Sequence, residues 1–510
     1  MQWLQHIWTQ KPMWVTWGAV GLYILFIFIK GVSKAKKIGN TDDFLVAGRN
    51  IGWFFLFCTM GATVIGGGGS IGAIGKTYDW GILMLLVSTG WYIHFIFSGL
   101  VVAPKFRSAN LYTVAGYFGH RFGEGPRFVA LLLSLFFSVF IVAAQMAAFG
   151  WVLAAVLPNL TENLQGMGLH PLQLAIIIGG LLVVIYSTAG GLLAVIYTDV
   201  YQFIVLMGGF AITLALLVPS LAADWGSVTA KVPHEFLQAT GGKGWVFLIT
   251  TFLAFLFGET FAPGYATRYC VGKNVRETKI GIAGAGAFLA LTFPIILFFI
   301  ALHARIHFPD IEPQMALPMV IRELNNPLIG GIIIGALLSA VMSSADSALN
   351  SSTAIFVKDL FEHQLKWKDK GDGRMLKLAR YCSAGLGITA IAVAACWSDI
   401  IGLLLFTYQV WAPAIIVPVI FGAYSRERSP RLTKQIFITM VFTSLVTLGY
   451  RFTSYADSFD PAVFGVLLAL ATFIVLRYAW RGSDSEAGPT GEDEPESSSE
   501  PDADADTVLA

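Results

Sequence analysis

Gly61-Ala62-Thr63-Val64-Ile65-Gly66-Gly67-Gly68-Gly69-Ser70-Ile71-Gly72-Ala73-Ile74-Gly75 lies inside an apolar segment long enough to cross a bilayer. The successive glycines Gly66 to Gly69 offer no side chains to pack and make a continuous helix locally costly. In hydrocarbon, unwound backbone survives only where protein buries it or a wet cavity meets it. A helix interrupted near the membrane midplane exposes carbonyls to an ion and amides to a solute. The same glycines also suit close helix packing, and Gly68 and Gly72 stand at the Gly-x-x-x-Gly spacing. The run by itself leaves both readings standing.

Of the 510 residues, 56% are hydrophobic and 13% charged, well below the roughly 25% charged of soluble domains. Apolar runs recur from end to end, so the chain reads as an all-α polytopic membrane protein with the lipid bilayer as its surroundings. No nucleic-acid partner is expected, and a monomer is. After Arg481 there is no Lys or Arg, whereas ten acidic residues follow, from Asp484 to Asp506. Such a Ser/Pro/Glu/Asp-rich stretch cannot bury a core, and residues 482–510 are expected to form a disordered cytoplasmic tail. Cys58, Cys270, Cys382 and Cys396 lack metal-ligand spacing and read as free thiols. The N-terminus lacks a basic n-region and a small-residue cleavage site, so its apolar segment is expected to stay as a span.

At about 20 residues per crossing, about thirteen spans are expected. Their approximate limits are 13–30, 51–76, 80–104, 127–157, 172–189, 191–218, 244–269, 279–304, 328–357, 376–396, 398–424, 431–450 and 460–479. Basic residues then collect in alternate loops: Lys34 to Arg49, Lys105 to Arg127, Arg268 to Lys279, Lys358 to Arg380, Arg426 to Lys434, and Arg477 with Arg481. The positive-inside rule puts these loops in the cytoplasm and the N-terminus outside.

The seventh span carries a second interruption. Phe257-Gly258-Glu259-Thr260-Phe261-Ala262-Pro263-Gly264 breaks it with glycines, a proline and an intramembrane carboxylate. Counted from the second span, this is the first member of a second set of five, running in the opposite sense. Broken helices at matching places in two halves point to a midplane site between inverted repeats. The expected organisation is an extra span and loop over 1–50, a first repeat over 51–218, a second over 244–424, further spans over 425–481, and the tail over 482–510.

The ninth span contains Ala340-Val341-Met342-Ser343-Ser344-Ala345-Asp346-Ser347 and then Asn350. Ser343, Ser347 and Asn350 recur at helical spacing, giving a polar face that must look inward. Hydroxyls with exposed carbonyls suit a sodium ion; interhelical hydrogen bonding is the plainer use of a lone serine. Asp199 sits within the sixth span, where a carboxylate contacts a coupling ion, closes a gate salt bridge, or caps near the cytoplasmic surface. Glu259, inside the second break, would meet a cationic solute group, a proton or an internal partner. Asp346 fastens neighbouring helices or faces the site. Gly75-Lys76-Thr77 resembles the end of a phosphate loop but lacks its first glycine and a preceding strand. Asn159-Leu160-Thr161 fits a glycosylation sequon.

These residues resemble the sodium:solute symporter family over nearly the whole chain except the tail. The stretch Tyr186 to Asp199 looks like its GG-x-x-AV-x-x-TD signature, and Ser339 to Ser347 looks like its sodium-binding helix. Asp42 to Arg49 and Arg268-Tyr269 also match. The resemblance implies a leucine-transporter-type 5+5 inverted-repeat core with about thirteen transmembrane helices. It implies Na+ as the coupling ion with no organic cofactor, held by carbonyls of Ala62, Ile65 and Ala340 and hydroxyls of Ser343 and Ser344. Asp199 and Ser347 would serve coupling or a second sodium.

The glycine run and Ser-Ser-Ala-Asp-Ser look closest to choline-type members, but Val64 and Ala262 stand where aromatics of their cation cage are expected. Positions matching sugar-carrying members are Gly69, Ser88, Phe255, Gly258 and Leu405, too apolar for many hydroxyl contacts. A substrate site is expected from Gly66, Gly67, Gly68, Gly69, Ser88, Trp91, Phe255, Gly258, Glu259 and Tyr408. The expected function is sodium-coupled import of a small organic solute, an amino acid, carboxylate or similar, by alternating access in a plasma membrane, a bacterial inner membrane. An unpaired Glu259 favours an amine; a paired one leaves a carboxylate held by amides at the glycine break equally open. A transporter-like sensor, a sodium-independent uniporter and a channel are the other classes. No nucleophile–base or metal constellation points to an enzyme.

Overall fold

The computed structural model describes residues 13–35, 41–156, 170–187, 191–223, 225–367 and 372–480. Asn159-Leu160-Thr161, the Thr188-Ala189-Gly190 part of the signature, and the acidic stretch 482–510 lie outside the described residues. The helices that position the site are α1 Met13–Ala35, α2 Trp53–Val64, α3 Ala73–Trp80, α4 Ile82–Phe97, α5 Val114–Phe122, α6 Glu124–Val156, α7 Pro171–Ser187 and α8 Leu192–Ala223. They are followed by α9 Trp245–Gly258, α10 Pro263–Tyr269, α11 Val275–His307, α12 Pro327–Ala354, α13 Asp372–Cys396, α14 Ile400–Tyr424, α15 Pro430–Tyr450 and α16 Pro461–Ala479.

Among the described residues ten helices are long and apolar enough to cross a membrane. Two helix pairs qualify only together, bent by 55° between Val64 and Gly68 and by 52° between Gly258 and Pro263, and Pro171–Ile185 is a shorter apolar helix. Each expected span overlaps one of these. Helices are the dictated form here, since lipid offers no partner for backbone amides and carbonyls and an α-helix satisfies its own.

The breaks fall where the sequence withholds helix support, and they differ in detail. The glycine run is less unwound than its composition predicts: after Val64 the chain turns at Ile65, and Gly68–Gly72 continue as a wide helical turn. The Gly72 amide reaches back five residues to the Gly67 carbonyl at 2.9 Å. Close packing operates at the same glycines. A Cβ on Gly67 would lie 2.3 Å from Ala148 Cβ, and one on Gly68 would lie 2.6 Å from Leu404. The second break bends about as far but takes a different path. Phe261 is held at φ 64, a left-handed value that a bulky residue adopts only when its surroundings fix it, and it is fully buried. Trp411 Nε1 donates to the Thr260 carbonyl there at 3.1 Å, meeting one backbone acceptor that the break frees.

α12 is the central element. It packs against α1, α6 and α8 along its length and against both broken pairs through α2 and α10. Its residues from Gly330 to Ala354 are almost all buried, which explains an apolar helix with no polar outer face.

Candidate functional site

The two breaks and α12 enclose three linked groups of polar atoms. In the first, Ser344 Oγ lies 3.0 Å from the Thr63 carbonyl at the end of α2 and 3.0 Å from the Ala340 carbonyl one turn back on α12. A Cβ on Gly66 would come within 2.1 Å of Ser344 Oγ, so glycine is what lets the chain after α2 lie against α12. Ala62, Ile65 and Ala340 are fully buried beside this contact. The last carbonyls of α2 have run out of intrahelical partners. Neutral oxygens from two segments converging in a buried place are the donor set that binds an alkali cation in discontinuous helices. Ser343 turns elsewhere: its hydroxyl donates to Asp199 Oδ1 in a short contact.

The second group is a buried ion pair that the sequence divides among four helices. Asp199 on α8 faces Arg268 on α10 at 3.5 Å, both with side chains wholly inaccessible. Thr59 on α2 donates to Asp199 Oδ2 at 2.5 Å and accepts from Arg268 Nε at 3.0 Å. Arg268 also donates to Ser347 Oγ at 2.6 Å and to the Gly264 carbonyl at 3.0 Å. Ser347 in turn donates to the Ser343 carbonyl at 2.6 Å. Arg268 therefore does not belong to the cytoplasmic basic loop in which charge counting sets it; its partner lies inside the protein, and pairing is what makes its burial tolerable.

The third group surrounds Glu259. Tyr408 on α14 donates to Oε1 at 2.6 Å and Tyr265 on α10 donates to Oε2 at 2.7 Å. Trp91 Nε1 donates to Tyr408 Oη at 2.9 Å. The carboxylate is thus held by neutral donors, and no cationic side chain among the described residues pairs with it. Gly258 permits this arrangement, since a Cβ there would meet Tyr408 Cγ at 2.1 Å.

A cavity of about 50 Å³ joins the first and third groups. Its walls include Thr63, Val64, Gly68 and Gly69 from the first break, Glu259, Ala262 and Tyr265 from the second, Ser344 and Ser347 from α12, Trp91, and Phe137 and Gln145 from α6. That is room for one or two waters at about 30 Å³ each, so a solute requires the walls to separate. Phe255 and Gly258 stand behind this wall: Phe255 packs edge-on against Trp91, with ring centroids 4.3 Å apart. Ser88 does not reach it; its hydroxyl bonds the Leu85 carbonyl of its own helix at 3.0 Å. Asp346 is buried outside it, with Oδ1 unpartnered among the described residues.

Sequence reasoning missed Gln145, whose side-chain oxygen accepts from the Gly67 amide at 2.8 Å. A lone amide in a long apolar helix was the available signal. It also missed Thr59, Tyr265 and Phe137, for which no local signal exists.

The family model for the sodium:solute symporter family matches residues 44–431. High-affinity choline transporter 1 of Caenorhabditis elegans is 26% identical over 418 residues, 76% of this chain and 69% of that protein. A sodium/proline symporter of Staphylococcus aureus is 22% identical over 417 residues, 78% of each. Among solved structures, a substrate-bound, outward-open Na+-coupled sialic acid symporter superposes with a TM-score of 0.75 at 21% identity, covering 91% of this chain and 98% of that one. A closed nucleobase-cation-symport-1 family transporter gives 0.54 at 16% identity, covering 86% and 95%. The leucine-transporter-type fold follows from these neighbours, and with a family match over most of its length the chain belongs to the sodium:solute symporter family, a sodium-coupled symporter of small solutes.

Proposed function

We propose that this symporter imports a small solute bearing a cationic nitrogen, an amino acid or an organic ammonium compound, across a bacterial inner membrane. The observation that carries the reading is Glu259: a carboxylate nine-tenths buried on a cavity wall, held by two tyrosine hydroxyls and by no described cation. A buried anion without a counter-charge is stabilised by a ligand that brings one. Trp91, Phe137 and Tyr265 line the same cavity, and their ring faces attract a desolvated cation. They stand in for the aromatics missing at Val64 and Ala262. The carboxylate alternative loses support because the Gly67 amide that would hold it already donates to Gln145. Choline and proline, named for the related transporters, both carry such a nitrogen.

In this reading sodium enters from outside and is held by carbonyls of Ala62, Ile65 and Ala340 with the hydroxyls of Ser343 and Ser344. Ser343 must release Asp199 to join, which couples ion binding to the Asp199–Arg268 pair between the halves. Ion binding fixes α2 against α12 and favours the state that takes solute. Inward rocking then separates the two, loosening both ligands toward the cytoplasm. The test is a radiolabelled uptake panel in proteoliposomes with and without a sodium gradient. Sodium-dependent uptake of an amine-bearing solute, lost in Glu259→Gln, is the expected result. Uptake confined to solutes without a cationic nitrogen, or unchanged in Glu259→Gln, refutes the assignment.

A further inference from the structure

A second cleft, of about 400 Å³, opens away from the solute site between α5 and the turn joining α14 to α15. Lys105, His120, Arg121, Arg426 and Arg428 line it. None of them has a carboxylate within ion-pair distance among the described residues. Arg121 donates to the backbone carbonyls of Gly422, Ser425 and Glu427, and Lys105 donates to that of Ala423. These contacts fix the cations in place without neutralising them. The acid in the turn, Glu427, is engaged outward by Arg477 at 2.8 Å. A concave patch of like charges repels itself unless an anion occupies it.

We infer that the acidic C-terminal segment, residues 482–510, docks its carboxylates in this cleft. Arg477 lies in the last turn of α16 and its partner Glu427 lies between two cleft arginines, so the chain leaves α16 beside the cleft. Ten acidic residues and no basic one follow Arg481, complementary in sign to the four lysine and arginine side chains of the cleft. A random-coil chain of this many residues has an end-to-end distance of about 30 Å, enough to return to a cleft at its root. Docking ties the end of α14, the helix that bears Tyr408, to α5, and so bears on how freely α14 moves.

The test uses the full chain in phosphatidylcholine nanodiscs treated with a carbodiimide, which condenses a lysine amine with a carboxyl group in contact and leaves as a urea. Trypsin releases 482–510 as one peptide because it holds no Lys or Arg. The expected product joins that peptide to the one bearing Lys105, and falls several-fold in 0.5 M salt, as a docked ion cluster must. It also falls several-fold in the Arg426→Gln/Arg428→Gln variant, whose unchanged unfolding temperature confirms its fold. As a second readout, neutralising the ten tail acids is expected to raise phenylglyoxal modification of Arg426 and Arg428 several-fold. Links spread evenly over Lys273, Lys279, Lys358 and Lys434, or insensitive to the double variant, overturn the docking. Loss of the Lys105 link when phosphatidylglycerol replaces phosphatidylcholine overturns it in favour of a lipid headgroup. Neither outcome touches the assignment of Glu259.

Discussion

Ser344 holds a position that no neighbour duplicates: its hydroxyl meets the end of α2 and its own helix at once, both at 3.0 Å. Ser344→Ala removes one neutral oxygen from the proposed ion site while keeping the helix. Loss of a hydrogen-bonding-strength contact to a charge, about 1.5 kcal/mol, is expected to raise the sodium concentration for half-maximal uptake about tenfold. An unchanged sodium dependence in proteoliposomes counts against that site. Asp199 makes a different prediction, since Asp199→Asn leaves Arg268 buried and uncompensated. Removing one partner of such a pair destabilises by about 3–5 kcal/mol, read as a lowered unfolding temperature in detergent. Charge-conserving Asp199→Glu is expected to recover part of the stability and less of the transport. A residue's type and surroundings made Asp199 and Glu259 visible as isolated polar groups in apolar sequence, whereas Ser344 was marked only by the resemblance to the family. Their partners were not visible, because Thr59 lies 140 residues from Asp199 and 209 from Arg268. Only folding brings these together.

At the level of elements, the two interrupted helices behave unlike one another. The first bends through residues without side chains and resumes as a wide helical turn, whereas the second turns at Phe261 with a left-handed residue in its path. Gly258→Ala is expected to push Tyr408 off Glu259, because the new methyl would sit 2.1 Å from Tyr408 Cγ. Overpacking of this kind typically destabilises by about 1–3 kcal/mol. Solute uptake is expected to fall more than stability does. Wild-type uptake in Gly258→Ala would mean the tyrosine contact is dispensable. Glycines marked the first interruption in the sequence, and glycine, proline and an embedded acid marked the second, since each opposes helix or burial by a known mechanism. The path through each break was not legible. Wide helical turn or left-handed kink depends on what packs outside: Leu404 and Ala148 against the first, Trp411 against the second.

Across the whole molecule, the order of helices was readable from hydrophobicity because lipid imposes one long apolar helix per crossing. Charge counting failed at Arg268, where a basic residue seven positions past a break is drawn inward by an acid from another helix. One surface contact offers a test of how α16 is fastened. The hydrogen bond from Arg477 holds the Glu427 carboxyl below its ordinary value. A depressed carboxyl supports the folded arrangement above its unfolded value, about 4.3, and the support is lost as pH falls through the lower folded value. Amide exchange in residues 425–429, corrected for intrinsic rates, is therefore expected to stay constant from pH 7 to 5 and rise only in stronger acid. Loosening above pH 5.5 would refute the clasp. The buried pair of Asp199 and Arg268 has, finally, an electrical consequence. Its two charges sum to zero, so carrying it through the membrane field does almost no work, whereas an uncompensated charge gains or loses about 2.3 kcal/mol per 100 mV. The pair then adds almost nothing to the voltage dependence of the cycle, which falls to Glu259 and the passengers, and the ratio of current to solute flux reads the passengers' total charge directly.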